Sequence, residues 1–362
     1  MNSILLALSP WLAFVFDYSP APGQFINEIP EITPDATTEE VLQIVAEQIT
    51  GARTPGLITL GSFGGSVTVG FDHPVVNVAG TPDFAIYGNA VTNGAEPGIV
   101  MVSQDTNGNG LPDDEWYELA GSLEEDPGTR FGYTITYRKP AEGKEMVKHP
   151  SWKFVTDAEY IPWSDSEGSE GYVMKIASHP QSYWPEWVDA EELTFSGTCL
   201  PGMGMCSNDA GTMWTIQSPE WGYADAKPNK DSVWFDISNA VDKDRNRVSL
   251  PQIDFVKIYS AVNQFRGWLG ESSTEIAGGE DLHPQAEPSG VEMVAPRVIS
   301  SGVRGGYLLL TASVAMPYAV CDLSGRQHIA GLLTEGLNYV PVSGLGHGIY
   351  LVNCDKVIKF AL

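Results

Sequence analysis

One segment of the chain carries oxygen-bearing side chains at the spacing of a calcium-binding loop. Positions 1, 3, 5, 7 and 9 of this segment are Asp105, Asn107, Asn109, Leu111 and Asp113. Calcium takes about six to eight oxygen ligands, and a glycine at position 6 allows the sharp bend that such loops need. The sequence therefore predicts a calcium site in which Leu111 contributes its carbonyl oxygen.

The match to a calcium loop is incomplete at its last position. Position 12, where a bidentate glutamate normally completes the coordination, is Trp116. The missing ligand would have to come from Asp114, Glu115, Glu118 or another loop. No regular helix is expected on either side, so the pattern indicates a calcium loop between strands and not an EF-hand pair. The alternative is a metal-free turn in which Asp and Asn side chains bind their own backbone.

Aromatic residues beside polar ones form the second group of candidates. Flat rings next to Asn, Asp or Arg are typical of sites for sugars and other flat, partly apolar ligands. The alternative for each ring is that it packs a loop onto a sheet. The candidate ligand-binding residues are Trp184, Trp187, Trp221, Tyr223 and Trp268.

The motifs of several common enzyme classes are missing from the sequence. It has no H-E-x-x-H, no G-x-S-x-G, no phosphate-binding G-x4-G-K and no G-x-G-x-x-G after a strand. This favours a non-catalytic protein. A glycosidase needs only two carboxylates that are close in space, so the 46 Asp and Glu leave an enzyme with paired carboxylates open as an alternative.

The chain is strongly acidic but has the composition of a globular protein. Its 362 residues include 20 Lys and Arg against 46 Asp and Glu, a net charge of −26. This charge repels phosphate backbones, which excludes nucleic acid as an expected partner. Because 43% of the residues are hydrophobic and only 18% are charged, we expect a packed core and not a disordered acidic chain.

The elements that position these residues are predicted to be strands. After a first strand at residues 11–18 and one helix within residues 34–52, eleven short β-type segments alternate with turns between residues 56 and 262. No helices separate these segments, so we expect an antiparallel sandwich or jelly roll and not a parallel sheet, which needs crossover helices.

The cysteines leave the redox state open. Cys199 and Cys206 enclose a Gly-rich loop that a disulfide would bridge easily, and Cys321 could pair with Cys354. Buried free thiols are the alternative, since cysteine is also an ordinary core residue.

A polar stretch rich in Gly and Pro divides the chain. We expect an N-terminal strand and helix that pack on the first domain, a β-sandwich domain, a linker and a small immunoglobulin-like β-sandwich. These parts are residues 1–55, 56–285, 286–297 and 298–362.

Long segments of the first domain carry a family resemblance. They are GGSVTVGFDHPVVN, PDFAIYGNAV, EPGIVMVSQDTNGNGLPDDEWYELAGS, WGYADAKPN and IDFVKIYSAVNQFRGWLGESSTEIAGGEDLH. Together they resemble a family of Bacteroidota cell-surface proteins, over roughly residues 15 to 285. The resemblance implies a calcium-containing jelly roll of the galactose-binding-like kind, displayed outside the cell. It also implies that the five residues of the calcium pattern are the ligands.

The C-terminal segment, from YAVCDLSGRQHIAGLL to the end, is similar to type IX secretion sorting domains, although its cysteines depart from that pattern. Members of the resembled family are associated with TonB-dependent uptake, including that of corrinoids. We therefore expect a non-catalytic, calcium-stabilised protein, cell-surface or extracellular, that captures a small-molecule nutrient, corrinoid or glycan, for a TonB-dependent outer-membrane transporter. The alternatives are a secreted carbohydrate-active enzyme that uses paired carboxylates, and a structural or adhesive surface protein.

Overall fold

A computed structural model gives the fold of the chain. It describes residues 8–231, 233–286, 298–304, 306–312, 315–322, 326–354 and 357–362. Within these ranges, one α-helix and two short 3₁₀ turns accompany strands in antiparallel sheets, which confirms the predicted all-β fold class. The jelly-roll connectivity stays a prediction. The chain divides into two compact units, Met1–Ser289 and Gly290–Leu362. The predicted linker lies outside the described residues except for residue 286.

The first unit contains a six-stranded sheet, a four-stranded sheet and three smaller sheets. Its strands are β1 (Phe14–Ser19), β2 (Ile58–Thr59), β3 (Ser66–Val76), β4 (Phe84–Tyr87), β5 (Gly98–Ser103), β6 (Trp116–Leu119), β7 (Arg130–Arg138), β8 (Val155–Asp165), β9 (Glu170–Ile176), β10 (Glu192–Cys199), β11 (Gly204–Cys206), β12 (Trp214–Ile216), β13 (Trp234–Phe235), β14 (Ala240–Val241), β15 (Gln252–Ser260), β16 (Glu275–Ile276) and β17 (Gly278–Asp281). The large sheets have the orders β1-β3-β15-β5-β6-β14 and β10-β7-β8-β9. The small sheets are β13-β4-β17, β16-β2 and β11-β12.

Each of the eleven predicted β segments contains a strand, but the longest strand besides β3 was not predicted. This is β8, whose sequence VTDAEYIPWSD interrupts the alternation of apolar and polar residues with acidic residues and a proline. Pairing with β7 and β9 on its two sides nevertheless holds it in a sheet. Tertiary pairing therefore overrides a weak local pattern.

The helix forms where the sequence predicts it, as α1 (Thr38–Ile49). Thr37 and Glu40 make a reciprocal capping box, with the Glu40 amide 3.3 Å from Thr37 Oγ1 and the Thr37 amide 2.8 Å from Glu40 Oε2. These two bonds satisfy backbone donors that a helix N-terminus leaves without partners. The buried face consists of Val41, Val45 and Ile49, at a spacing of four residues. Among the described residues, no helix is both long and apolar enough to cross a membrane.

The six-stranded sheet separates two hydrophobic cores. Val256 and Ile258 of β15 pack into one core with Val45 of the helix and residues of the β13-β4-β17 sheet. Tyr259, on the opposite face, packs into the other core with Ile135 of the four-stranded sheet. Burying an aliphatic or aromatic side chain of this size contributes about 1.5–3 kcal/mol. The alternation of side chains along one strand thus fixes both faces of the central sheet.

The second unit is a small two-sheet β-sandwich. Its strands are β18 (Val298–Arg304), β19 (Tyr307–Ala312), β20 (Met316–Asp322), β21 (Gln327–Leu333), β22 (Gly336–Pro341), β23 (Ile349–Asn353) and β24 (Val357–Ala361). They form sheets of order β18-β19-β22 and β21-β20-β23-β24. Leu308, Leu310, Val320 and Val352 lie in the core of this unit.

The cysteines that were considered for disulfides are separate. Cys199, Cys206 and Cys321 are free thiols, so neither of the two considered pairs is formed. Cys199 is buried, and its Sγ lies 2.9 Å from a guanidinium nitrogen of Arg130.

Candidate functional site

Three carboxylates from distant segments meet inside the first unit. Glu96 lies just before β5, Asp225 lies in the loop between β12 and β13, and Glu275 begins β16. One carboxylate oxygen from each of the three lies within 4.8 Å of the other two. Within the described part of the chain, no other three His, Cys, Asp or Glu side chains come close enough together to share a metal ion. We call these three residues the acidic cluster.

Asp225 is held by the backbone around it. Its Oδ1 accepts hydrogen bonds from the amides of Asn89 at 2.8 Å and Ala90 at 2.7 Å, and its Oδ2 accepts one from the amide of Glu275 at 3.0 Å. A side chain at Gly88 would meet this carboxylate, because a Cβ there would lie 2.2 Å from Oδ1. Asp225 therefore joins the loop after β4 to β16.

The other two carboxylates bind hydroxyl groups and one guanidinium. Glu275 accepts hydrogen bonds from Thr59 Oγ1 at 3.0 Å and Ser273 Oγ at 2.7 Å. Glu96 pairs with Arg266 and accepts the amide of Ser273 at 3.1 Å. These contacts give the three carboxylates one salt-bridge partner, which is too little positive charge to neutralise them all.

Burial determines how the acids of this region ionise. It raises the pKa of Asp225 and Glu275 well above their ordinary values, and the neighbouring Glu96 adds to the rise. It also raises the pKa of Glu96, against the opposing effect of Arg266. Nearby Glu271 is fully buried, which raises its pKa to about 7. A buried group of carboxylates with one cation stays charged only at a cost, so it favours bound protons or a positively charged partner.

Three buried polar atoms beside the cluster have unused hydrogen-bonding capacity. Arg266 Nε, Gln24 Oε1 and Glu271 Oε2 have no partner among the described residues. Buried polar atoms are almost always hydrogen-bonded in folded proteins. Departures from this rule are concentrated at functional sites.

A cavity of about 440 Å³ opens beside the acidic cluster. Its wall includes the buried Glu275 and Arg266 and the partly buried Glu96, while His179 and Trp268 also line it. The Trp268 side chain is 48% exposed, so its ring is accessible. Ligand pockets in proteins usually measure about 300–1,000 Å³ and combine apolar surface with a few polar groups. The cavity has both properties.

The other predicted ligand-binding rings have different surroundings. Trp184 and Tyr223 are only 2% and 5% exposed and pack in the core between the large sheets, which leaves them no free ring face for a ligand. Trp187 is partly buried and stacks on Tyr18, with 6.3 Å between ring centroids. Trp221 is 44% exposed. Of the five predicted residues, Trp268 lines the cavity beside the acidic cluster.

The predicted calcium residues lie in an exposed turn between β5 and β6. Asp105 organises this turn through its carboxylate. Its Oδ1 accepts the amides of Gly108 at 2.7 Å and Asn109 at 3.1 Å, and its Oδ2 accepts the amide of Gly110 at 2.8 Å. This is the role that the first residue of an Asx-rich turn has, with or without a metal ion.

The remaining residues of the turn offer oxygen ligands of the kind that calcium prefers. The side-chain nitrogens of Asn107 and Asn109 lie 2.9 Å and 3.0 Å from Asp113, and the amide of Leu111 lies 2.7 Å from Asn109 Oδ1. To bind a cation together with Asp113, Asn107 and Asn109 would have to turn their side-chain oxygens toward it. Rotating each side-chain amide by half a turn exchanges the positions of its oxygen and nitrogen. The residues fit a calcium ion, and calcium binding here stays a prediction.

A comparison with protein-family models and with curated proteins finds no match for this chain. The resemblance to Bacteroidota cell-surface proteins and to sorting domains therefore stays a prediction from the segments quoted above.

The acidic cluster was not predicted, although the sequence contains a signal for it. Glu96 is the only charged residue in the stretch 88–104, and Glu275 is the only one in 272–279. A single carboxylate among small and apolar residues is a candidate for burial, and once buried it needs a partner, because charged residues are rarely buried without one. Only the folded structure shows that these acids meet.

Proposed function

We propose that the protein is a non-catalytic binding protein that captures a sugar unit of a glycan in the cavity beside the acidic cluster. The observation that carries the proposal is the placement of the exposed Trp268 ring next to Glu96 and Arg266 in one cavity. An indole face packs on the apolar face of a sugar ring, while carboxylates and a guanidinium bind its hydroxyl groups. The antiparallel sheets hold these groups in place before the ligand arrives, which lowers the entropy cost of binding.

The size of the cavity favours a glycan over a corrinoid. At about 440 Å³ it lies near the lower end of the range for ligand pockets. A sugar unit fits a cavity of this size, whereas a corrinoid has a large macrocycle that would remain mostly outside it. Of the two nutrient classes expected from the sequence, we therefore propose the glycan.

The cellular setting of this proposal rests on the resemblance of the sequence to Bacteroidota cell-surface proteins. In that setting the protein lies at the cell surface or outside the cell and delivers its nutrient to a TonB-dependent outer-membrane transporter. Calcium bound at the turn that begins at Asp105 stabilises the fold. The net charge of −26 gives no support to a nucleic-acid partner.

Calorimetry with a panel of neutral oligosaccharides and with cyanocobalamin tests this function. We expect heat from at least one oligosaccharide and none from cyanocobalamin. Trp268→Ala should weaken sugar binding at least tenfold without changing the melting temperature, since its ring is half exposed. Trp221→Ala is the matched control, a similarly exposed tryptophan that should leave binding unchanged. No heat with any sugar would overturn the proposal and favour a structural or adhesive protein.

A carbohydrate-active enzyme is the second candidate, favoured by the pair Glu96 and Glu275 at the wall of the cavity. Burial raises the pKa of both groups, as a general acid requires. Their closest oxygens lie within 4.8 Å, near the separation of about 5–5.5 Å between the carboxyl groups of retaining glycosidases. Release of reducing sugar by the wild type that Glu275→Gln abolishes, with folding retained, would replace the binding function with this one.

A further inference from the structure

A second cavity, of about 480 Å³, lies between the six-stranded and four-stranded sheets of the first unit. It shares no lining residue with the cavity beside the acidic cluster. Facing sheets in a sandwich normally cover each other with apolar side chains. This cavity is lined by Asp17, Lys257 and Glu118 as well as by Phe195 and Tyr259. Asp17 is exposed, while Lys257 and Glu118 are partly buried. Charged residues on the face that meets the other sheet are therefore the feature to explain.

The three charged residues belong to one row that crosses the central sheet. In register, Asp17 of β1 pairs with Thr68, and Thr68 pairs with Lys257. Lys257 pairs in turn with Met101, and Met101 pairs with Glu118. Directly paired residues of antiparallel strands point to the same face, so the whole row faces the four-stranded sheet. The row places a lysine midway between two acids.

The two acids of the row already have partners. Glu118 accepts hydrogen bonds from Tyr259 Oη at 2.6 Å and Thr198 Oγ1 at 2.8 Å, and it forms an ion pair with Arg245. Asp17 accepts a hydrogen bond from Ser19 Oγ at 2.9 Å. Glu118 thus has three donor partners, one of them charged, whereas Asp17 has one neutral partner and room for further donors.

Lys257 differs from both acids. In the described part of the chain, no carboxylate oxygen lies within 4.0 Å of its Nζ and no hydrogen bond engages that atom. Two strand spacings, about 9–10 Å, separate its backbone from that of Asp17 on one side and Glu118 on the other. The cavity is thus lined by an ammonium group with three free donors, by the Phe195 ring and by the carboxylate of Asp17, two strands away from Lys257.

We propose that this inter-sheet cavity is a second binding site, for a small hydroxylated carboxylate of the uronic acid type. The carboxylate of the ligand pairs with Lys257, and one of its hydroxyl groups donates to Asp17. Phe195, which is only partly buried, provides apolar surface for the ring. A charge pair inside a cavity is screened less than one on the surface, so recognition of the carboxylate should dominate the affinity.

Calorimetry with D-glucuronate, D-glucose and acetate tests the site on the full chain that carries Trp268→Ala, which disables the proposed glycan site. We expect D-glucuronate to bind at least tenfold more tightly than either D-glucose or acetate, because only glucuronate offers both the carboxylate and the hydroxyl groups. Absence of heat with D-glucuronate would overturn the proposal. Equal affinity for D-glucose would also overturn it, because the lysine would then have no role.

Two variants locate the binding. Lys257→Gln should weaken D-glucuronate binding at least tenfold, and Asp17→Asn, on the edge strand β1, should weaken it at least threefold. Trp268→Ala should leave D-glucuronate binding unchanged, so this proposal and the proposed glycan site can fail separately. Unchanged binding in both Lys257→Gln and Asp17→Asn would overturn the site. If Lys257→Gln fails to fold, Asp17→Asn decides.

Discussion

Two acidic regions of the first unit use the same interaction in opposite surroundings. Asp105, in the exposed turn, accepts three backbone amides from residues close to it in the chain. Asp225, in the acidic cluster, also accepts three backbone amides, but from β16 and the loop after β4. Water can replace a lost bond in the exposed turn, whereas the Asp225 side chain is fully buried. We therefore expect burial, and not the number of hydrogen bonds, to determine how much Asp105 and Asp225 each contribute to stability.

Burial also determines the direction of the pKa shifts. In the exposed turn, hydrogen bonds from Asn107 and Asn109 lower the pKa of Asp113. In the acidic cluster, the cost of burying charge exceeds the effect of hydrogen bonds and raises the pKa of Asp225 and Glu275. Acidic side chains with similar donors therefore respond to pH with opposite signs.

The largest expected effect comes from Asp225→Ala. The substitution leaves three backbone amides without an acceptor in a buried site, at about 1–3 kcal/mol for each. We expect it to lower the free energy of unfolding by at least about 3 kcal/mol, measured by urea denaturation. Asp105→Ala, measured in calcium-free buffer, is the matched variant and should have a clearly smaller effect. Equal losses in the two variants would contradict the role assigned to burial.

A second control separates the hydrogen bonds of Asp225 from its charge. Asp225→Asn keeps one oxygen acceptor, and asparagine tolerates the left-handed backbone at this position, where φ is +48°. We expect it to lose less stability than the alanine variant.

The next effect is the pH dependence that Glu271 causes. Burial raises its pKa from 4.5 to about 7, so the folded chain holds a proton that the unfolded chain releases. Because the pKa is higher in the folded chain, the free energy of unfolding falls as pH rises from 4.5 to about 7. A pKa difference of about 2.5 corresponds to a fall of about 3 kcal/mol. Glu271→Gln should reduce the measured fall by about this amount and leave the part that Asp225 and Glu275 contribute, because their pKa values are also raised. Denaturation at about pH 5 and pH 8 measures it. An unchanged pH profile in the variant would assign the fall to other groups.

Calcium should have an intermediate effect and should act through the exposed turn. A free calcium concentration of about 30 times Kd would stabilise the wild type by about 2 kcal/mol. We expect the melting temperature to be higher in millimolar calcium than in EDTA, and Asp105→Ala to abolish the difference. Glu275→Gln is the control and should retain it. If Glu275→Gln abolishes the calcium response and Asp105→Ala does not, the ion binds in the acidic cluster.

The smallest effect is expected from Asp113→Asn. Because hydrogen bonds lower the pKa of Asp113, its stabilising contribution is present above its ordinary pKa of 3.8 and is lost as pH falls. The difference in stability between wild type and variant should therefore shrink on acidification below about pH 4. Denaturation at several acidic pH values measures it. A difference that grows on acidification would reverse the sign assigned to the turn.

Neighbouring residues were sufficient to predict several features of this protein. The capping box of Thr37 and Glu40 and the buried stripe of Val41, Val45 and Ile49 depend on contacts within a few residues, so the helix could be located. The alternating strand patterns and the absence of crossover helices likewise indicated an antiparallel all-β fold. The turn that begins at Asp105 was recognisable because its interacting groups lie close together in the chain.

Other features depend on which distant strands pair and which faces they cover. Trp184 and Trp221 look equally suited to ligands in the sequence, yet one is in the core and the other on the surface. Glu96 and Glu275 meet only because loops from different sheets converge, and Lys257 lies between two acids only because five strands align in register. Burial and cross-strand register are set by packing over the whole unit, so no local pattern of residues specifies which of these side chains meet.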